Sequence, residues 1–487
     1  MTLAPWRSVR AMATRPASIK FCGAAQFVSG TSHLLDTGRY KVLLDCGLFM
    51  EPENAAFNGK FSFDPKQIDL LVLSHGHADH VGNLHHLIRQ GFHGKVICTD
   101  ATRDIYETVA GNLMSIDAKD SHGPSKDDLG TLQQLFTPAP YNKKMLLADD
   151  LMLRYTDAGH MLGSAIVELW FGDTKFVFSG DIGPHDAPIL CEPSILKRAD
   201  YVAIESTYGG VTRKKEDWTR LGTVIQEAIS SGGSVLIPVF AAEKLQRLIY
   251  RIRQLKQADL LPKNLKVISD SSSGNEITEI YRRYSDYYDG TAKSLVRPFD
   301  FEGFYEMSSR DAMATHGEPG VVYLSTAGML DKANSPKHLA EMCENPKNTL
   351  VFVGYQSPHT LGGQIYGGQR NVEIVLGNPD KTETRLKKEI KMRVEKLSGF
   401  SGHADGAQLV EWMGNFSKAK QVFVVHGEKS RAIDMAKQIQ TQWNFPAMAP
   451  KHFETIALDR TETVVRRGDA PPLPKFAELE KYDPQDF

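Results

Sequence analysis

Apolar residues along this chain come in short runs, each closed by polar or glycine-containing turns. Residues 20–47 read as short alternating strands with turns at Ser29-Gly30 and Thr37-Gly38. Leu70-Leu71-Val72-Leu73 is short and continuously apolar, which predicts a buried strand. Residues 81–89 look helical. Strands interleaved with helices continue to Ser206, a pattern that predicts an αββα sandwich. From about Trp218 the spacing shifts to α/β units. Residues 219–230 and 241–257 read as helices, with Ser234-Val235-Leu236-Ile237-Pro238 as a strand between them. Lys266-Val267-Ile268, Val321-Val322-Tyr323-Leu324 and Thr349-Leu350-Val351-Phe352-Val353 have the character of parallel-sheet strands. Residues 392–397 return the chain to the first domain. A helix over 405–416 and a strand over 421–425 follow. After Arg460 the chain is rich in proline and charge and reads as an extended tail.

Composition adds bounds. At 487 residues the chain has room for two or three domains and a large core. Its 41% hydrophobic and 24% charged residues are ordinary for a globular protein, and no apolar run is long enough to cross a bilayer. The five cysteines, Cys22, Cys46, Cys98, Cys191 and Cys343, are scattered without a C-x-x-C pair. They point to free thiols in a reducing compartment. A net charge of -2 argues mildly against a nonspecific polyanion binder and little against an enzyme with a local basic groove. The first 35 residues carry Arg7, Arg10, Arg15 and Lys20 but no acid. The expected location is cytoplasmic, or mitochondrial or plastid if residues 1–18 are a transit peptide.

The candidate chemistry begins where the strand at Leu70 ends. His75-Gly76-His77-Ala78-Asp79-His80 packs three imidazoles and a carboxylate into six residues. Imidazole and carboxylate suit zinc and similar divalent metals. No single metal takes all four groups from so short a loop without strain, so the economical reading is two metals. His75 and His77 would serve one, and Asp79 and His80 the other. Partners recur downstream at strand ends: His160 in Ala158-Gly159-His160, Asp181 after Lys175-Phe176-Val177-Phe178, and Asp45 after Lys41-Val42-Leu43-Leu44. A carboxylate such as Asp181 can bridge two cations.

With these residues the chain resembles the metallo-β-lactamase superfamily. Asp45 matches its first motif, His75 to His80 its second, His160 its third and Asp181 its fourth. Glu205 in Ile204-Glu205-Ser206-Thr207-Tyr208-Gly209 is similar to motif A of the β-CASP nucleases. His403 in Ser398-Gly399-Phe400-Ser401-Gly402-His403-Ala404-Asp405 is similar to motif B, and His426 in Val425-His426-Gly427 to motif C. The resemblance implies an αββα metallo-β-lactamase sandwich interrupted by an inserted α/β β-CASP domain. Its expected bounds are 18–209 for the first part of the sandwich, 210–390 for the insert, 391–465 for the second part and 466–487 for the tail. The span resembles the short bacterial type of the family.

The resemblance also implies roles. Two zinc ions per chain are expected. His75, His77 and His160 would hold one, Asp79, His80 and His426 the other, and Asp181 would bridge. Catalytic work falls to His403 as general acid, to Glu205 as its orienting partner, and to Asp45 behind the ligands. Ser325, Thr326 and Gly328, in a loop after a strand, are candidates for contact with a substrate phosphate. The run 381–396 carries seven basic and three acidic side chains and reads as a solvated helix face, with an RNA path as the sharper alternative. His85 and His86 read as surface or packing residues.

The implied function is a zinc-dependent ribonuclease acting on single-stranded RNA, with endonucleolytic cleavage expected first and 5′-exonuclease action left open by the sequence. A histidine at motif C accompanies RNA-processing members of the family. No membrane partner is expected, and a homodimer is allowed. The competing readings are a small-molecule hydrolase of thioesterase or lactamase type, and a non-catalytic subunit of an RNA-processing complex. The insert and the motif residues Glu205, His403 and His426 argue against the first. The complete ligand set argues against the second.

Overall fold

A computed structural model of the protein describes residues 15–116, 123–377 and 382–458. Arg7, Arg10 and the tail 466–487 lie outside the described residues. The chain forms two units. One comprises the described residues of Met1–His185, Glu192–Thr212 and His403–Phe487. The other comprises those of Asp186–Cys191 and Arg213–Gly402.

The first unit has two seven-stranded sheets. One runs in the order Thr455–Leu458, Ala17–Phe21, His33–Asp36, Lys41–Leu44, Leu70–Val72, Lys95–Cys98, Phe136–Pro138. The other runs Ala447–Met448, Gln421–Val425, Tyr201–Glu205, Thr174–Phe178, Ala165–Phe171, Leu151–Asp157, Met145–Ala148. Successive strand residues face opposite sides of a sheet. Val42 and Leu44 therefore enter one core with Leu70, Val72, Phe423 and Val425, contributed by both sheets. Leu43 and Leu71 face the other way, toward helical residues such as Leu84, Leu87 and Tyr106. Val422 and Val424 likewise face Leu409, Trp412, Ala432 and Met435. Both sides of each sheet are covered, so these strands read as continuous apolar runs rather than alternating ones. The result is the four-layer αββα sandwich.

The second unit is built on a six-stranded sheet, ordered Phe304–Glu306, Lys266–Ser269, Val321–Ser325, Val235–Pro238, Thr349–Phe352, Arg393–Lys396. Every pairing in it is parallel. Helices Trp218–Ser230, Lys244–Gln257, Ser272–Arg283 and Ser335–Met342 belong to the same unit.

Three local expectations fail. Residues 392–397 do not return the chain to the first unit, because Arg393–Lys396 pairs in parallel with Thr349–Phe352 as an edge strand of the second unit's sheet. Residues 81–89 are not one helix but two short ones, Ala78–Val81 and Leu84–Arg89. Asn83 separates them. Its N–H donates to Cys46 O at 2.9 Å and its side-chain amide to Gly47 O at 2.6 Å, which ties this point to another loop. Within the basic run 381–396, Glu383–Glu389 and Arg393–Lys396 are strands rather than a helix face. Glu383–Glu389 pairs antiparallel with Asn371–Gly377, and Arg393–Lys396 joins the parallel sheet. The hairpin forms because Val372 and Ile374 alternate into the second unit's core and fix its register. No helix among the described residues is long and apolar enough to cross a membrane.

Candidate metal centre

Strand ends assemble the site. In the first sheet, Lys41–Leu44 and Leu70–Val72 run parallel, with Leu44 opposite Val72. Asp45 follows the first strand and the histidine loop follows the second. In the other sheet, Thr174–Phe178, Tyr201–Glu205 and Gln421–Val425 are mutually parallel. They deliver Asp181, Glu205 and His426 at their carboxyl ends. Glycine lets these loops close on one another. A Cβ at Gly47 would overlap the carbonyl of Asp79, and one at Gly183 would overlap that of Gly159 beside His160.

The donor atoms form two groups, each with its atoms within 4.8 Å of one another. One is His75, His77, His160 and Asp181. The other is Asp79, His80 and His426. Asp181 faces both. Its Oδ2 lies 3.4 Å from His75 Nε2 and 3.6 Å from His160 Nε2. Its Oδ1 lies 3.4 Å from His80 Nε2 and 3.6 Å from His426 Nε2. His426 Nε2 is also 3.5 Å from Asp79 Oδ2.

Imidazole nitrogens converge in the same space. His80 Nε2 and His426 Nε2 are 3.1 Å apart, and His77 Nδ1 is 3.2 Å from His75 Nε2 and 3.1 Å from His160 Nε2. So many acceptor-capable nitrogens cannot all satisfy one another with protons, and a cation among them can. Asp181 is 2% exposed, and its Oδ1 has no hydrogen-bond partner among the described residues. A buried carboxylate oxygen of this kind needs a partner, and a metal ion supplies one. The donor set fits zinc: nitrogens and carboxylate oxygens, buried and convergent.

Three imidazoles are held from behind. His80 Nδ1 lies 2.7 Å from Asp45 Oδ2, and Asp45 also accepts the Ser74 N–H at 2.7 Å and the Ser74 hydroxyl at 2.6 Å. Ser74 Oγ is 3.0 Å from His75 Nδ1, and Thr207 Oγ1 is 3.0 Å from His426 Nδ1. Each contact fixes a ring with its other nitrogen toward the centre. Sequence reasoning reached Asp45 but missed Ser74 and Thr207. The only available signal was adjacency, because each lies one or two residues from a motif residue.

The electrostatics point the same way. Burial alone would lower the pKa of His426, but Asp181 and Asp79 outweigh it and push the imidazole up to about 9. Burial opposes protonation of His80 too, and Asp181 and Asp45 reverse it. For Asp181, burial favours the neutral acid, yet the surrounding imidazoles hold it well below the usual carboxylate range. Asp181 thus stays ionised and draws positive charge into the pocket.

His403 and Glu205 sit beside this cluster. His403 Nδ1 is 3.2 Å from each Glu205 oxygen and 3.8 Å from Asp181 Oδ2. Glu205 is fully buried and also accepts the Ile182 N–H at 2.7 Å and the Thr207 N–H at 3.3 Å. Its oxygens also fall in a third candidate group with Asp181 and His426. We assign Glu205 to His403, because those hydrogen bonds already commit both oxygens. The His403 side chain is 20% exposed. Burial depresses its basicity, but Glu205 and Asp181 together raise it above the ordinary value.

Ser325, Thr326 and Gly328 belong to the second unit. Ser325 ends a strand fully buried, and its hydroxyl has no partner among the described residues. Thr326 Oγ1 donates to Ser271 Oγ at 3.1 Å, and Gly328 O accepts from Gln356 Nε2 at 2.9 Å. His85 is buried and His86 half-buried, both on the helix Leu84–Arg89.

Known proteins match along the same lines. Residues 25–219 match the metallo-beta-lactamase superfamily. Residues 245–365 match the Beta-Casp domain, and residues 387–450 match the Zn-dependent metallo-hydrolase RNA specificity domain. Ribonuclease TTHA0252 of Thermus thermophilus is 33% identical over 427 residues, spanning 85% of this chain and 94% of that protein. Transcription termination factor FttA of Methanocaldococcus jannaschii is 29% identical over 459 residues, spanning 90% of this chain and 71% of that one. A crystal structure described as a protein of unknown function from Enterococcus faecalis V583 shares the fold, with a TM-score of 0.55 at 10% identity over 91% of this chain and 100% of that one.

Proposed function

This chain belongs to the β-CASP family of the metallo-β-lactamase superfamily, and we infer that it is a metal-dependent ribonuclease that hydrolyses phosphodiester bonds of single-stranded RNA. The observation that carries this reading is Asp181, whose two oxygens face the two donor groups, with the His403–Glu205 pair beside it. His75, His77 and His160 would hold one zinc, Asp79, His80 and His426 a second, and Asp181 would bridge them. Bound there, the ions would supply Lewis acidity at the phosphate and activate water for attack.

The side chains do the rest. Asp45, Ser74 and Thr207 keep three imidazoles aimed inward. Glu205 holds His403 by Nδ1 and stabilises its protonated form. The Nε2 proton is then the one His403 passes to the departing ribose oxygen, where it prevents an alkoxide from forming. Burial of the cluster keeps bulk water from screening these charges. A flexible single strand can bend a phosphate into such a recess more readily than a duplex can. Of the three residues proposed for phosphate contact, Thr326 is half-buried, whereas Ser325 and Gly328 are covered. Thr326 is therefore the side chain we expect to reach the substrate.

Cleavage within the strand is the primary mode we propose, with 5′-exonucleolytic action beside it. An internally labelled single-stranded RNA with a free or a blocked 5′ end tests both. Internal fragments from both substrates are expected. Loss of all cleavage on blocking the end would reassign the enzyme as a 5′-exonuclease. Thioester or β-lactam hydrolysis with no RNA cleavage would overturn the ribonuclease reading.

A further inference from the structure

One surface feature of the first unit takes no part in the site above. Phe27, Phe49, Phe57, His452 and Phe453 form one network of rings. Phe27 lies 5.9 Å from Phe49 and 5.1 Å from His452, and Phe57 lies 5.6 Å from Phe49, 5.0 Å from His452 and 5.7 Å from Phe453. Phe453 stacks on His452 with ring centres 3.6 Å apart. Only Phe49 is buried. Phe27, Phe57 and His452 are half-buried, Phe453 is 43% exposed, and Met50, directly after Phe49, is 58% exposed.

The backbone here is held in unfavourable conformations. Phe453 has φ +65° and Gln26, beside Phe27, has φ +68°. A bulky residue in the left-handed region costs about 1–2 kcal/mol, where glycine or asparagine would sit more easily. His452 Nε2 meets the Cys22 carbonyl at 3.0 Å, and the Phe453 N–H donates to Phe21 O at 2.7 Å, so the turn is pinned. An aromatic residue kept exposed on a strained, pinned turn points to a role other than packing.

The network is continuous with the metal loops. The Ala24 carbonyl accepts the N–H of His426 at 2.7 Å, the Thr31 N–H donates to Asp79 O at 2.9 Å, and the Leu48 N–H donates to Ala78 O at 2.9 Å. Phe49 and Met50 follow Leu48 directly. The rings therefore lie on the Asp79 and His426 side of the donor cluster. Exposed aromatic faces beside a phosphodiester-cleaving site are what unpaired bases stack on.

We propose that Phe453, with Phe27, Phe57 and His452, is a stacking platform for an unpaired base of the RNA strand next to the scissile linkage. The proposal rests on the ribonuclease reading. Its test separates the two by comparing variants in an enzyme first shown to cut RNA. An oligoribonucleotide carrying 2-aminopurine near the cleavage position should lose fluorescence on binding, because stacking quenches it. Phe453→Gly should abolish that quenching and raise KM about tenfold with kcat little changed. Relief of the left-handed strain should keep its melting temperature at or above that of the parent. Phe453→Trp should preserve both quenching and KM. Unchanged KM and quenching in Phe453→Gly would overturn the platform while leaving the ribonuclease intact. So would a shift in self-association without any effect on RNA binding. If Phe453→Gly melts early, Phe27→Ser decides by the same two readouts. Failure of the parent enzyme to cut RNA would instead sink the reading on which the proposal stands.

Discussion

Each unit carries a buried carboxylate paired with a histidine, and the two pairs behave differently. In the second unit, His338 Nε2 lies 3.0 Å from Asp270 Oδ2, and its Nδ1 meets His316 Nε2 at 2.8 Å. Both nitrogens are engaged and the His338 side chain is wholly buried. In the first unit, His403 is bound to Glu205 through Nδ1, keeps a fifth of its side chain exposed, and lies beside Asp181. The pairing is nearly the same length in both. Access and neighbours differ, and they decide which pair can exchange a proton with a substrate. A histidine–carboxylate contact is thus no functional signal until its other nitrogen and its surroundings are known.

The strongest way to break this contrast is to remove what lies beside His403. Asp181→Ala should bring RNA cleavage to background and deplete bound metal, read by elemental analysis. Retained activity with full metal content would refute the shared-carboxylate site. Next comes the pair itself. His403→Ala should lower turnover by roughly 10²–10⁴-fold with metal content unchanged. His338→Ala should instead leave turnover per folded molecule intact and cost about 1–3 kcal/mol of stability, because it leaves Asp270 buried and unpaired. If His403→Ala strips metal, or His338→Ala impairs chemistry, the two roles have been misassigned.

A smaller effect is expected behind the ligands. Ser74→Ala and Thr207→Ala should each weaken metal affinity by about 10–100-fold, as loss of an outer hydrogen bond to a ligating imidazole does. Competition with a chelator measures this. The smallest effect concerns pH. Burial, reinforced by His338, holds His316 down to about 4 from an ordinary 6.5, with Asp270 only partly opposing. Unfolded chain gains that proton as pH falls through about 6.5, while folded chain gains it only near 4. This contribution therefore favours unfolding increasingly between those values. The melting temperature should fall between pH 7 and 5, and His316→Gln should lessen the fall. An equal fall in that variant would show that other groups carry it.

Much of the first unit was legible in the sequence. Apolar runs covered on both faces mark strands whatever the tertiary context, and Asp45, the His75–His80 loop, Asp181, Glu205 and His426 stand at or beside their ends. Strand-end polarity and donor type are local properties that pointed to a divalent metal, and the interleaving of strands with helices pointed to the αββα sandwich. Where local pattern failed, a distant contact had intervened. Asn83 splits an otherwise helical stretch because it binds Gly47 and Cys46. The basic run after 381 becomes strand because Asn371–Gly377 offers it a partner. The ring network around Phe453 joins segments far apart in the chain, and no motif announced it.

The sequence by itself determined which donors this protein carries and that they end strands. The tertiary structure alone decided which oxygen of Asp181 faces which imidazole, and that Ser74 and Thr207 hold two rings from behind. It also brought His80 and His426, 346 residues apart, to 3.1 Å. The reason is physical: donor identity is written residue by residue, but convergence to hydrogen-bonding distance requires two sheets to pack face to face over one core.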